Sequence, residues 1–177
     1  MTKILKTDTD IDFLPRPHMC EILATDRVPD IELCASAYVI IIKDDKVLCA
    51  KLNRGVDIPG GHIDPEESPF DAMVREAKEE TGAIVKSAHL VGAQKITLKC
   101  PRPEKYAYPY PVSYQLFYYS NDIEMGEFLK DEDSEGAIWI DLDKVYEVAW
   151  FKNHKELFQE VLRVHKGASK ACKTLMP

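Results

Sequence analysis

Glu76, Glu79 and Glu80 are the side chains of this sequence best placed to do chemistry together. The spacing predicts a helix over residues 69–81, which would gather the three carboxylates into an arc of about 100° and about 6 Å of axial rise. Carboxylates so placed repel one another, at roughly a few tenths of a kcal/mol per i,i+4 pair. Glu79 and Glu80 also fall in the last turn, where the helix dipole disfavours anions. Lys78 projects elsewhere on the wheel. A Glu-rich helix ordinarily means a solvated acidic face. Acids concentrated at a helix C-terminus, with no lysine interleaved on that face, read better as hard oxygen ligands for Mg²⁺ or Mn²⁺.

The elements that must hold these acids are well punctuated. Ser68 is placed to cap the helix, Pro69 takes its first position, and Asp71 completes an S-x-x-D capping box. Gly82 sits where a C′ glycine ends a helix. The expected apolar stripe is Phe70, Val74, Ala77 and Thr81. Upstream, Gly60-Gly61 has an ordinary meaning as a turn. Its closeness to the acidic helix also suggests a backbone carbonyl or N–H offered to a metal or a phosphate.

The run from Gly61 to Ala83, GHIDPEESPFDAMVREAKEETGA, resembles the Nudix box, G-x₅-E-x₇-R-E-U-x-E-E-x-G-U with U aliphatic. Gly61, Glu67, Arg75, Glu76, Glu79, Glu80 and Gly82 match its fixed positions, while Ala77 and Ala83 stand at the U positions in place of larger aliphatics. The resemblance implies a strand-loop-helix-loop unit in an α/β/α sandwich with a mixed sheet. It implies Mg²⁺- or Mn²⁺-dependent hydrolysis of a phosphoanhydride in a nucleoside diphosphate linked to another moiety: a nucleoside triphosphate, a nucleotide sugar or a dinucleotide. By position, Glu76, Glu79 and Glu80 would be metal ligands, with the Gly61 carbonyl as a further one. Glu67 and Arg75 would form an ion pair that fixes the loop against the helix. The candidate catalytic set is Glu76, Glu79, Arg75 and Glu135. Two acids compete for the role of general base: Glu76, and Glu135 in the acidic loop Asp131–Glu135 ahead of Trp139. For Asp131 and Glu132 a plain solvated turn is the better reading.

Beyond the box, Ala35–Ile42 reads as a strand buried on both faces and Val47–Leu52 as its hairpin partner across a polar turn. Further strands fall within Ile84–Lys99, Val112–Ser120 and Ala137–Ile140. A last helix, about Asn153–Lys166, would bury Leu157, Phe158, Val161, Leu162 and His165. This divides the chain into an extension over residues 1–31 with one short strand near Cys20–Leu23, a catalytic domain over 32–166, and a flexible tail over 167–177. Residues 106–119 hold six of the eight tyrosines. A stacking platform for a base would look like this, and so would a surface loop running into an aromatic strand. The expectation is that at most one or two of Tyr106, Tyr108 and Tyr110 touch a ligand.

With 45% apolar residues and a formal charge of −7, the chain is ordinary globular material without the overall cationic character that nucleic acid or an anionic membrane selects. The charge disfavours an RNA end, and the small-nucleotide substrate remains what the resemblance implies. Five scattered cysteines without a C-x-x-C pair argue against a zinc cage, a redox pair or a disulfide framework. No apolar run is long enough to span a bilayer, and no apolar leader segment opens the sequence; a cytoplasmic location is the expectation. The oligomeric state stays open, a homodimer included. Two other functions fit the same scaffold. A nucleotide sensor without turnover would be expected to lose one of the box acids, and none is lost. An isoprenyl diphosphate isomerase would need a further Cys/Glu pair that the sequence does not place.

Overall fold

The computed structural model describes residues 1–128 and 133–174, with side chains through Gly167. The chain builds nine strands among the described residues: β1 (Lys3–Asp8), β2 (His18–Ala24), β3 (Cys34–Lys43), β4 (Lys46–Leu52), β5 (Gly55–Asp57), β6 (Gly60–His62), β7 (Ala83–Leu98), β8 (Val112–Met125) and β9 (Ser134–Asp141). Three α-helices accompany them: α1 (Pro69–Thr81), α2 (Ala149–Asn153) and α3 (Lys155–Thr174). The strands form one mixed sheet in the order β1-β2-β7-β8-β3-β4-β5, with β6 paired to β3 and β9 to β4. The β3–β8 pair is parallel and its neighbours are antiparallel. The result is the mixed-sheet α+β sandwich anticipated from the sequence.

The two faces of the sheet explain the apolar runs. On β3, Ile40 and Ile42 join Val47, Cys49, Phe117, Tyr119, Phe151, Leu157, Phe158 and Val161 beneath α2 and α3. The alternate residues Val39 and Ile41 join Leu48, Leu116, Tyr118, Ala72, Met73 and Ala77 beneath α1. A strand covered by helices on both sides has no polar face, so its sequence is continuous rather than alternating. Asp44 and Asp45, both at positive φ, make the two-residue turn between β3 and β4, as short polar side chains can.

Four differences from the sequence reading have physical causes. The amino-terminal segment holds two strands instead of one. β1 is an edge strand with little burial, so its apolar pattern is weak, whereas β2 lies between β1 and β7. Helix α1 buries Ala72, Met73, Ala77 and Thr81, and Phe70 is 37% exposed in its first turn, edge-on to Tyr118. The last helix is broken at His154, whose φ of −118° and ψ of 39° separate α2 from α3. Finally, α3 passes Gly167 and runs to Thr174, where a tail was expected. A single glycine costs a helix only about 1 kcal/mol, and alanines and lysines surround this one.

Candidate active site

Helix α1 is fixed at both ends. Ser68 Oγ accepts the Asp71 N–H at 3.1 Å, and its own hydroxyl donates to Asp71 Oδ2 at 2.6 Å. At the other end Gly82 adopts φ 75°, a left-handed conformation open to glycine, and its N–H reaches the Lys78 carbonyl. The Ser134 hydroxyl at the start of β9 donates to the Glu80 carbonyl at 2.8 Å, which ties the last turn to the sheet. The acids of that turn are thus held on a clamped element.

Arg75 organises the carboxylates. It donates twice to Glu67, from Nε to Oε1 and from a terminal nitrogen to Oε2, both at 3.0 Å. The same guanidinium reaches Glu76 Oε1 at 2.9 Å, Glu79 Oε2 at 3.1 Å and the His62 carbonyl at 3.1 Å. A planar fork with five donors suits this bridging, which the single ammonium of lysine would not reproduce. Arg75 holds the Glu67 carboxyl below the usual carboxylate range. Burial raises Glu76 despite the Arg75 contacts, and pushes Glu80 up to about 7 despite the Gly60 N–H that donates to Glu80 Oε2 at 2.9 Å.

Gly61, on β6, lies against Glu76. A Cβ at position 61 would stand 2.5 Å from Glu76 Oε1, so the close approach of backbone to carboxylate exists because the residue is glycine. Half-buried carboxylates without full neutralisation, a bare backbone beside them and a donor set made of oxygen fit a hard divalent cation. Among the described residues no three carboxylates converge on one point: Glu76 and Glu79 turn to Arg75, and Glu80 turns to Gly60. The residues that would hold a cation are Glu76, Glu79, Glu80 and the backbone of Gly61.

The acids open into a cleft of about 680 Å³. Its far wall comes from residues that sequence reasoning did not single out. Trp150 and His154 stack at 4.6 Å, and Trp150 leans on Phe117 at 5.5 Å. The two ring nitrogens of His154 each face an acceptor: Nδ1 lies 2.9 Å from the Trp150 carbonyl and Nε2 3.2 Å from Gln94 Oε1. Burial lowers the His154 pKa, against the Trp150 carbonyl and Asp57, which raise it. Gln94 is held in turn by Cys20, whose thiol burial pushes up to about 11. Asp57, Arg54 and Asp133 also line the cleft. Burial raises Asp57, which accepts the Ile58 N–H at 2.8 Å. The missed signals were faint: an acid just before Pro59, and an aromatic-histidine pair spaced i,i+4.

Glu135 stands apart from the cleft: it is 54% exposed and pairs with Lys51 Nζ at 3.6 Å. Asp131 and Glu132 lie outside the described residues. His62 does line the cleft and stacks on Tyr108 at 5.5 Å. Tyr110 donates its hydroxyl to the Cys100 carbonyl, and with Tyr106 it packs against Cys20, Ile96 and Leu98.

A family model described as the NUDIX domain matches residues 33–161, most of the chain. The chain belongs to the NUDIX family. Among its relatives is the ADP-ribose pyrophosphatase of Methanocaldococcus jannaschii, 28% identical over 133 residues that cover 72% of each chain. Another is the NAD-capped RNA hydrolase NudC of Pseudomonas aeruginosa, 30% identical over 118 residues, which are 63% of this chain and 37% of that one. The human diphosphoinositol polyphosphate phosphohydrolase 3-alpha is 33% identical over 98 residues, 52% of this chain and 59% of its own. The fold is shared with the Bacillus subtilis pyrophosphohydrolase BsRppH at TM-score 0.56 and 23% identity, covering 81% of this chain and 92% of that one. Like these relatives, the NUDIX protein described here is a hydrolase of phosphoanhydride bonds. Divalent-cation chemistry is general to the family.

Proposed function

We propose that the protein hydrolyses the phosphoanhydride of a small nucleoside diphosphate linked to another moiety, with Mg²⁺ or Mn²⁺ held by Glu76, Glu79, Glu80 and the Gly61 carbonyl. The observation that carries this reading is the juxtaposition in one cleft of the α1 carboxylates and the Trp150–His154–Gln94 wall. An anhydride at the acidic end and a flat ring at the aromatic end would use both. The ADP-ribose pyrophosphatase relative, matched over 72% of each chain, supports a substrate of the same chemical class.

The chain's own residues divide the work. Two phosphates facing three carboxylates would be repelled, and a bound divalent cation supplies charge neutralisation and an acidified water there. Arg75 keeps Glu76 and Glu79 at fixed positions through the hydrogen bonds that also hold Glu67, which is the orientation a ligand set needs. Of the two acids named for the general base, Glu76 lines the cleft and is placed to take the proton of the attacking water at a carboxylate oxygen. Glu135, engaged with Lys51 outside the cleft, does not serve. Arg54 at the rim offers a cation to the departing phosphate.

The test is a panel of nucleoside triphosphates, nucleotide sugars and dinucleotides with each metal, products being separated by chromatography. Hydrolysis in ¹⁸O-labelled water should place the label on one phosphate product. Label in a sugar or base fragment, or no turnover of any member with either metal, would overturn the reading.

A further inference from the structure

The rim of the cleft carries a side chain from outside the residues that match the family model. Phe13 belongs to the segment between β1 and β2, is 82% exposed, and lines the same cleft as Trp150, His154 and Gln115. A single exposed ring is ordinary on a protein surface; this one is distinguished by its place on the wall of the cleft.

The segment that presents it is built, not slack. His18, 2% exposed, donates from Nδ1 to the Pro15 carbonyl at 3.1 Å and accepts the Ile11 N–H on Nε2 at 3.0 Å. The Leu14 N–H turns back to the Ile11 carbonyl, and Arg16 pairs with Asp10 and Asp12. Ile11 and Leu14 pack onto Cys20, Ile96 and Leu98. Ile11 and Leu14 are thus anchored inward while the Phe13 ring stays outside.

Facing into the same space is Gln115, half-buried on β8 and registered opposite Gln94. Among the described residues its side-chain amide has no hydrogen-bond partner. An amide offers one donor and one acceptor side by side, the complement of a base edge such as that of adenine. Resting on the hydrolase reading above, we propose that the amino-terminal segment completes a nucleobase site: Phe13 covers one face of the base, Gln115 reads its edge, and the Trp150–His154 stack forms the wall. Substrate choice would then be set partly by a segment that lies outside residues 33–161.

Titration calorimetry of the full chain in Mg²⁺, with AMP and with ribose 5-phosphate, tests this through binding alone. The wild type should prefer AMP. Phe13→Ala should lower the ratio of the two affinities by about five- to a hundredfold, the usual worth of one base–aromatic stack. Phe13→Tyr should restore the ratio, and neither change should move the melting temperature, since the ring is exposed. A Phe13→Ala ratio equal to that of the wild type would overturn the base site while leaving the hydrolase reading intact. If the wild type binds neither ligand at millimolar concentration, the base site also falls, and turnover in the substrate panel judges the hydrolase reading separately.

Discussion

The two ends of the cleft are encoded in opposite ways. At the acidic end, Glu67, Arg75, Glu76, Glu79 and Glu80 come from one short stretch, placed by helical spacing and one loop. At the aromatic end, Phe13, Gln94, Gln115 and the Trp150–His154 pair come from four separate places in the chain, brought together by the sheet order and the break between α2 and α3. Chemistry that needs several like charges within a few ångströms favours a single rigid element. Recognition of a flat ligand needs only surfaces, and these can be gathered from anywhere.

If the acidic end does the chemistry, the largest effect comes from its cation. Turnover should vanish in EDTA and return with Mg²⁺ or Mn²⁺; full activity in chelator, with metal content confirmed as nil, would break the division between the ends. Next is Arg75→Ala. The half-buried Glu67 and Glu76 would lose their shared partner, costing about 1–3 kcal/mol of stability as well as rate. Thermal unfolding beside kcat checks both, and a variant as stable as the wild type would show that Arg75 does not hold the cluster together.

Protonation of Glu80 sharpens the same point. Its folded pKa of about 7 lies above the value of 4.5 for a free glutamate, so the folded state binds more protons between those limits. Its contribution is fully present below pH 4.5 and is lost as pH rises through 7. The metal-free protein should therefore be less stable at pH 8 than at pH 5 through this group. Glu80→Gln should recover about 1–3 kcal/mol at pH 8 and little at pH 4.5, measured by denaturant unfolding in chelator. Added Mg²⁺ should stabilise the wild type most at the higher pH. The smallest effect is expected for Glu135→Gln, with kcat within about twofold of the wild type, because its carboxylate faces Lys51 rather than the cleft. A loss of a hundredfold or more would return Glu135 to the catalytic set.

How much of this was legible beforehand follows from the same contrast. Ser68, Pro69, Asp71 and Gly82 bound the helix because caps and left-handed residues act locally. The buried run of β3 declared itself because both its faces are covered. Phe70 misled because its spacing fits a stripe, but the sheet meets the helix at Ala72, Met73 and Ala77. Strand β1 stayed hidden because an edge strand carries little apolar pattern. His154 was unremarkable as a histidine in a helical stretch; its meaning comes from the break between α2 and α3, where it meets Gln94.

The central claim is that the α1 carboxylates are ligands for the cation that drives hydrolysis rather than a solvated face. The most direct measurement is kcat for Glu79→Gln and Glu80→Gln at saturating Mg²⁺, with the melting temperature of each taken in chelator, where no metal adds to stability. Loss of a metal ligand removes several kcal/mol from the transition state, on the order of a thousandfold or more in rate. The account predicts that loss with the melting temperature kept or raised, since like-charge repulsion is relieved. Near-wild-type kcat in both variants would contradict it.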